Sequence, residues 1–578
     1  MSDTVMQESV STVRFEPDQS PPAKLTLGLS LQLALLTLAG IVLTPAIIVR
    51  MAGASENYLN WAVFTAVLVS GASTIIQAKR VARIGAGYVL AMGTSGAFIA
   101  VCVTALIEGG PEVLASLIIA SSLFQFLLAG RLSLLRRILT PVVSGTVIML
   151  IPVSVMPVIW ELLTDIPAQS DPGLASVCAL VTLLVVVLIA LRAKGTLRLW
   201  ALMAGVVAGS LVAGGLGLYD VQRVQQAAWL GLPAISWPGI SLQPEPVFWA
   251  LLPSFVFVTL IGAIETIGDS VAIQRVSWRR PRAVDFRAVQ GAVSADGLGN
   301  LLSGLAGTVP NTTYSNSVAV VELTGVASRR VGVALGSLFI LAAFSPKLLA
   351  AILAIPGPVV AAYTLVLLAM LFVLGMKIIV QNGINYRDSI IVGVSFWLGV
   401  GCQGGLIYPE IIAGLAGGLL QNGMTAGGLC AILMNVFLLV SAPRQHQIEV
   451  PLTIAKLPQI REFLESFVTE NQFNTLVQSR LEIASEETLL TLINSNETEA
   501  ERKLQVTVYR DGSHAVLEFV ASPGGENIQN LLSVIRDSSA VSSVGKNVSL
   551  RLLQHAATSI NHQQYHNMDI VTLKVEGV

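Results

Sequence analysis

Two acidic residues four positions apart, Glu265 and Asp269, lie in an apolar stretch over residues 255–273. An ionised carboxylate in the hydrocarbon core of a membrane costs about 3 kcal/mol or more unless it faces a cavity or is protonated. Glu265 is therefore a candidate for substrate binding and proton transfer, although a carboxyl group that only pairs with a neighbouring helix would show the same pattern. The spacing places Asp269 on the same helix face. We expect Asp269 either to relay protons or to anchor backbone amides of a facing helix.

A polar run follows Pro310 inside a second, weakly apolar stretch over residues 310–327. Proline lacks an amide hydrogen, and the Asn, Thr and Ser residues that follow are poor helix formers. Non-helical backbone at membrane depth is tolerated only where it is buried in protein or lines a cavity, and paired breaks of this kind mark the binding site of many carriers. The partner break is predicted near Gly93 and Ser95, although small residues also allow close helix packing.

A further acidic residue, Glu322, lies six positions after Asn316. It is a candidate for proton coupling. Its place two residues before Thr324 also fits a structural role, in which it reaches water or Arg329 at the cytoplasmic end of the segment.

The composition indicates that these segments lie in a membrane. Of the 578 residues, 53% are hydrophobic and 12% are charged, whereas soluble proteins average about 25% charged residues. The net charge of −1 gives no indication of nucleic-acid binding. A span needs about 20 apolar residues. Fourteen such segments are predicted, at 27–49, 59–78, 87–106, 111–130, 138–160, 174–192, 198–217, 248–273, 290–307, 310–327, 331–352, 357–376, 388–407 and 411–440.

The distribution of basic residues predicts the topology. Loops after even-numbered spans hold most of the Lys and Arg, including Arg279, Arg280 and Arg282, whereas loops after odd-numbered spans hold only Arg50, Arg223 and Lys347. Cytoplasmic loops carry an excess of Lys and Arg. Both termini are therefore predicted to be cytoplasmic, and the first 24 residues form a short tail without the apolar core of a signal peptide.

The composition becomes polar after residue 445, which predicts a soluble domain over 446–578 that follows a membrane domain over 25–441. Its pattern predicts helices at 456–470, 473–496, 525–536 and 542–558 and strands at 503–510, 514–521 and 568–576. Asp511-Gly512 between two of the strands is typical of a hairpin. An α/β sandwich is expected.

The run from Asp296 through Pro310-Asn311-Thr312-Thr313-Tyr314-Ser315-Asn316 to Thr324-Gly325 resembles the core of the nucleobase-ascorbate transporter family. Further resemblance lies in Glu265-Thr266-Ile267-Gly268-Asp269, in Gly93-Thr94-Ser95, in Gln32 and in the segment that begins at Pro141. The family implies a seven-plus-seven inverted repeat with core and gate domains, and a homodimer. It also implies short antiparallel strands in spans 3 and 10, each followed by a half-helix whose first amides face the substrate.

The resemblance assigns substrate-binding positions residue by residue. Ser95 and Gly96 on span 3, with the segment from Ser315 through Ser317 to Val318 on span 10, would supply backbone amides, and Asn316 would also supply a carboxamide for a planar heterocycle. Met92 stands at a span 3 position that often holds Gln. Members with an amide at the position of Asn316 favour oxidised purines and those with an acid favour uracil. The resemblance thus favours proton-coupled uptake of a xanthine- or urate-like base across a bacterial inner membrane.

The soluble domain resembles, more weakly, the ATP-binding fold of histidine kinases and anti-sigma-factor kinases. Glu486-Glu487 stands where that family has its Glu-x-x-x-Asn box, but the Asn aligns with Thr491 and the adenine-reading Asp is missing. A degenerate domain that regulates the carrier or binds a cytoplasmic partner is expected.

Other classes of function remain open. A sulfate-carrier-like anion transporter or channel would share the architecture, and a membrane sensor would bind substrate without transport. The sequence has no hydrolase triad, P-loop or Cys/His cluster, so no enzyme, cofactor or metal is indicated. Cys102, Cys178, Cys402 and Cys430 are predicted to be packing residues.

Overall fold

The apolar segments form helices, because within a bilayer a helix satisfies its own backbone hydrogen bonds. The computed structural model describes residues 13–135, 138, 140–165, 171–241, 246–280, 282–381, 383–410, 420, 422–440, 445–494, 502–523, 527–530, 532 and 544–576. The chain divides into two compact units. One comprises Met1–Arg279 and Gly291–Phe437, and the other comprises Arg280–Gln290 and Leu438–Val578.

In the described residues, the first unit is built from helices and one pair of short strands. Its elements are α1 Ala23–Met51, α2 Glu56–Lys79, β1 Ala91–Thr94, α3 Ile99–Gly130, α4 Leu132–Leu135, α5 Pro141–Leu163, α6 Pro172–Arg192, α7 Thr196–Leu199, α8 Ala201–Gly215, α9 Val221–Gln226, α10 Pro246–Val276, α11 Phe286–Ala306, β2 Asn311–Tyr314, α12 Asn316–Thr324, α13 Arg329–Ala343, α14 Pro346–Leu353, α15 Gly357–Val380, α16 Tyr386–Gln403 and α17 Gly423–Val440. The first turn of α11 belongs to the second unit.

Eight helices of the described chain are long and apolar enough to cross a membrane, and a ninth span is possible if α13 and α14 count as one. The expected multi-pass architecture is thus present, whereas the count of fourteen spans stays a prediction. Part of the last predicted span, 411–419 and 421, lies outside the described residues.

One predicted span differs in shape from the expectation. The sequence predicted a continuous helix over 331–352, but α13 and α14 meet at an angle of 85°. Pro346 begins α14. Because proline disfavours helical backbone in the residue before it, Ser345 is not helical, α13 ends at Ala343 and the chain turns.

The two predicted breaks are confirmed as an antiparallel strand pair. Gly93 pairs with Thr312 and Ala91 with Tyr314, and the backbone N–H of Ser95 donates to the carbonyl of Pro310 over 2.9 Å. After β1 the chain enters a 3₁₀ turn, Gly96–Phe98, and after β2 it enters α12. The pair satisfies backbone groups that the broken helices cannot satisfy themselves.

The second unit has an antiparallel sheet with strand order β3-β4-β5-β7-β6. Its elements are β3 His446–Pro451, α18 Leu457–Glu470, α19 Thr475–Asn494, β4 Lys503–Asp511, β5 His514–Ala521, α20 Val544–Ala556, β6 Ser559–Gln564 and β7 Asp569–Glu576. The hydrophobic core joins sheet residues such as Val506 and Phe519 to helix residues such as Leu464 and Leu481. This is the expected α/β sandwich.

Sequence analysis missed two strands of this sheet, β3 and β6. The six residues of β6 include Asn, His and Gln, so their pattern lacks the apolar alternation by which strands are predicted. Of the predicted helix over 525–536, only 527–530 and 532 are described. Glu486, in the kinase-like box, forms an ion pair of 2.6 Å with Arg461, and the resemblance to kinases stays a prediction.

Candidate functional site

A cavity of about 870 Å³ lies beside the strand pair in the first unit. Glu265 lines it from the middle of α10, and Thr94, Gly96 and Asn316 line it from the two breaks. Among the described residues, none forms a hydrogen bond or an ion pair with the Glu265 carboxyl group. This carboxyl group is therefore available to a molecule in the cavity.

Both breaks present helix starts to the cavity. Gly96 begins the 3₁₀ turn after β1, and Asn316 begins the nine residues of α12. The first N–H groups of a helix have no partner within the helix, so they bind acceptors such as carbonyl or anionic oxygens. One carboxylate acceptor and two sets of N–H donors thus border the same space.

Asp269 has different surroundings from Glu265. Its two carboxyl oxygens accept hydrogen bonds from Thr313 Oγ1, at 2.8 Å, and from Ser315 Oγ, at 2.6 Å. Because Thr313 lies in β2 and Ser315 precedes α12, Asp269 ties α10 to the second break. Its partners are hydroxyl groups, whereas one of the two roles expected from the sequence was to anchor backbone amides.

Sequence analysis missed a third buried carboxyl group, Asp296 on α11. Its Oδ2 accepts from Gln125 Nε2 at 2.7 Å and from Thr266 Oγ1 at 2.8 Å. Asn300, one turn later, donates to Gln125 Oε1 and accepts from the backbone N–H of Asn311, at 2.8 and 2.6 Å. The rule that singled out Glu265, a carboxyl group within an apolar segment, applies equally to Asp296 and would have found it.

The structure also brings two tyrosines to the cavity, Tyr314 on β2 and Tyr363 on α15. A Cβ atom added to Gly40 would lie 3.3 Å from both phenol oxygens, so the absence of a side chain there leaves room for them. Tyr314 also donates to the carbonyl of Thr94 over 2.9 Å. No sequence motif pointed to Tyr363, because it lies within a largely apolar helix, α15.

Not every predicted site residue lines the cavity. Ser315 does, but Met92, Ser95 and Ser317 do not. Met92 is fully buried and its sulfur accepts from Gln77 Nε2 at 3.5 Å, while Ser317 Oγ accepts from the backbone N–H of Ala91 at 2.8 Å. Met92 and Ser317 therefore stabilise the strand pair and do not face the cavity.

The side chain of Glu322 is exposed near the end of α12 and does not line the cavity. Arg329, its expected neighbour, forms an ion pair of 3.0 Å with Asp18 and donates to the carbonyl of Gly87 over 2.5 Å. The structure thus brings Glu265 and Asp269 to the break and leaves Glu322 outside it.

A multi-pass helical chain with a cavity at two interrupted spans, into which a few polar groups converge, has the architecture of a membrane carrier. The comparisons make the class definite. The model of the xanthine/uracil permease family, described as a permease family, matches residues 24–405, and this chain belongs to that family. It is a transporter, not an enzyme.

Two relatives and one solved structure illustrate the similarity. The chain is 28% identical to a putative purine permease of Clostridium perfringens, over 73% of this chain and 92% of the relative. It is 28% identical to the xanthine permease XanP of Escherichia coli K12, over 75% and 96%. The transmembrane domain of the cyanobacterial bicarbonate transporter BicA aligns with a TM-score of 0.44 at 16% identity, over 72% of this chain and 99% of that domain. The family match ends at residue 405, so residues 438–578 lie outside it.

Proposed function

We propose that this chain takes up a nucleobase together with protons, and that it favours a xanthine- or urate-like purine over uracil. The observation that carries the proposal is the Glu265 carboxyl group, which lines a membrane cavity between two helix starts. A purine base presents ring N–H donors beside carbonyl acceptors. Glu265 would accept from the ring nitrogens, and the amides at Gly96, Ser315 and Asn316 would donate to the carbonyl oxygens.

The preference for purines is supported by Asn316. Its carboxamide both donates and accepts, so it complements the mixed edge of an oxidised purine. Two relatives, at 28% identity, bear the names purine permease and xanthine permease. A sulfate-carrier-like anion transporter or a sensor is the weaker alternative, because neither follows from the family to which the chain belongs.

Proton coupling is supported by the three carboxyl groups of α10 and α11. Glu265, Asp269 and Asp296 lie close enough to one another for their charges to interact, and none forms an ion pair with a described Lys or Arg. Like charges in a buried region disfavour simultaneous ionisation. In the proposed cycle Glu265 binds the substrate and a proton, and Asp269 and Asp296 link its protonation to the position of the two breaks.

Further parts of the proposal concern the whole protein. Both termini lie in the cytoplasm of a bacterium, and the carrier forms a homodimer in the inner membrane among its lipids. The soluble domain that follows the membrane domain, called the tail domain below, binds a cytoplasmic regulatory partner. The positive loops after even-numbered spans support the orientation.

The coupling is tested in proteoliposomes with an imposed pH gradient. An acidic exterior should drive accumulation of labelled xanthine, and a protonophore should abolish the accumulation while leaving exchange intact. Sulfate and bicarbonate serve as controls for the alternative. Uptake of either anion without uptake of any nucleobase would overturn the proposal.

A further inference from the structure

The second unit includes a stretch of chain that is remote from the rest of it in sequence. Arg280–Gln290, which joins α10 to α11, groups with Leu438–Val578. We call this stretch the α10–α11 loop. Sequence analysis treated it only as a basic cytoplasmic loop.

Three different contacts fix the loop within this unit. The backbone N–H of Ala283 donates to Asn530 Oδ1 at 2.6 Å. The ring of Phe286 lies 5.1 Å from that of Tyr565, and Gln290 Oε1 accepts from the backbone N–H of His566 at 2.9 Å. A hydrogen bond at one end, an aromatic pair in the middle and a second hydrogen bond at the other end define both position and orientation.

The last two contacts converge on one turn of the sheet. Tyr565 and His566 are consecutive residues between β6 and β7, and the backbone N–H of Tyr565 donates to the carbonyl of Met568 over 2.9 Å. Phe286 and Gln290 are four residues apart in α11, so they lie on one helix face. Two neighbouring residues of the turn therefore meet two neighbouring positions of the helix.

Burial identifies this as an interface rather than a chance approach. Tyr565 is 1% exposed although it occupies the end of a hairpin, where side chains are usually accessible, and Gln290 is 5% exposed. A buried glutamine needs hydrogen-bond partners, and His566 supplies one of them.

The loop is covalently continuous with the two helices that carry the acidic groups of the site. Glu265 and Asp269 precede it on α10, and Asp296 and Asn300 follow it on α11. A force on the loop therefore acts on the ends of both helices.

We propose that the turn at Tyr565–His566 is a docking site for the α10–α11 loop, through which the tail domain controls the rate of transport. The control part of this inference rests on the proposed function. No described residue of the tail lines the cavity, so docking should change how fast α10 and α11 move rather than how tightly substrate binds.

The test uses the full-length protein and the variants Phe286→Ala, Tyr565→Ala and the double variant. Phe286→Tyr and Tyr565→Phe are matched controls, since they keep the aromatic pair. Hydrogen exchange is measured for peptides that cover 280–290 and 565–568, and for α18 as a check that the tail stays folded. Uptake rate and Kd for xanthine are measured in parallel. If Tyr565→Ala also increases hydrogen exchange in α18, this variant has disturbed the fold of the tail, and Gln290→Ala is used in its place.

Each alanine variant should speed exchange in both segments, including the one it does not alter, while α18 keeps its protection. The uptake rate should change at least threefold with Kd within twofold, and the double variant should equal the single variants. Exchange at 280–290 that is unchanged by loss of the Tyr565 ring would overturn the docking. Loss of docking with an unchanged uptake rate would overturn the proposal that the tail controls transport. Additive effects of the two substitutions on the uptake rate would also overturn it. If the wild-type protein transports no nucleobase, the proposed function fails, and the exchange measurements still decide the docking.

Discussion

Glu265 and Asp269 lie one helical turn apart on α10, but their surroundings differ. The Asp269 carboxyl group is occupied by two hydroxyl donors, whereas the Glu265 carboxyl group faces the cavity. The sequence indicated that both were unusual, because each is a carboxyl group in an apolar run. It left their roles open, because the hydroxyl donors come from a segment more than 40 positions away.

Substitution of Glu265 by Gln should weaken substrate binding strongly. The loss of a charged hydrogen bond corresponds to about 1.5–3 kcal/mol, or roughly a 10- to 150-fold rise in Kd. Calorimetric titration with xanthine measures it. Glu322→Gln, which alters an exposed glutamate of the same unit, is the control and should bind as the wild type does. Equal binding by wild type and Glu265→Gln would remove Glu265 from the site.

Substitution of Asp269 by Asn should impair transport more than binding. The new amide keeps one oxygen acceptor but presents an NH₂ group to one of the two hydroxyls, so the tie between α10 and the second break is weakened. We expect Kd within about fivefold of wild type, a change near 1 kcal/mol, with a much larger fall in uptake rate. Parallel binding and uptake assays measure the difference, and a Kd loss as large as that of Glu265→Gln would contradict the assignment.

The tail domain should lose stability below neutral pH because of His562. Burial, and secondarily the charge of Arg287, lowers its pKa from 6.5 to about 4. The unfolded chain then takes up a proton that the folded domain does not, so stability is full above pH 6.5 and falls as the pH drops towards 4. The loss at pH 5 should be about 2 kcal/mol.

Hydrogen exchange of β6 and β7 in the full-length protein, corrected for intrinsic rates, measures this at pH 7 and pH 5. His562→Asn is the matched variant. Its side-chain oxygen can still accept from the backbone N–H of Ile528, which in the wild type donates to His562 Nδ1 over 3.0 Å. The variant should lose most of the pH dependence. An unchanged pH dependence would show that other groups cause it.

At the scale of elements, the strand pair was the part of the fold that the sequence predicted best. Pro310 and the polar run after it indicated a break, and the family resemblance supplied the strands. The bend between α13 and α14 was missed, because hydropathy shows that a segment is apolar but not whether its helix bends. The strands β3 and β6 were missed because polar residues make up much of both, and β3 in addition pairs with β4, more than 50 residues further along the chain.

The strand pair imposes a strict size limit at Gly93. A Cβ atom there would lie 2.5 Å from Cζ of Tyr314 and 2.9 Å from a side-chain carbon of Ile41. Gly93→Ala should therefore displace Tyr314 and destabilise the first unit by about 1–3 kcal/mol, with weaker xanthine binding. Thermal unfolding in detergent and titration measure both effects. Gly28→Ala, where no atom lies within 4 Å of the new Cβ, is the control, and equal behaviour of the two variants would contradict the packing argument.

At the scale of the whole molecule, the predicted boundary after residue 441 lies close to Leu438, where the second unit resumes. The other stretch of the second unit, Arg280–Gln290, could not be predicted, because nothing in a short basic loop indicates partners more than 240 residues further along the chain. The two units therefore interleave in sequence, although each has its own core.

Truncation after Ala442 should leave a carrier that binds its substrate. Every described group that lines the cavity precedes this point, so the Kd for xanthine should stay within a few-fold of wild type, a change below about 1 kcal/mol. The uptake rate should change, because the α10–α11 loop loses its contacts. Titration and uptake in proteoliposomes separate the two effects. A truncated protein that assembles normally but binds no substrate would show that the tail helps to build the site.

The central claim is that the cavity beside the strand pair binds nucleobases through Glu265. Counterflow into proteoliposomes preloaded with unlabelled xanthine tests it most directly, with xanthine, urate, guanine and uracil as competitors. The wild-type protein should exchange labelled xanthine, the purines should compete better than uracil, and Glu265→Gln should abolish the exchange. A folded wild-type protein whose exchange is absent, with no nucleobase in the panel acting as substrate or competitor, would contradict the account.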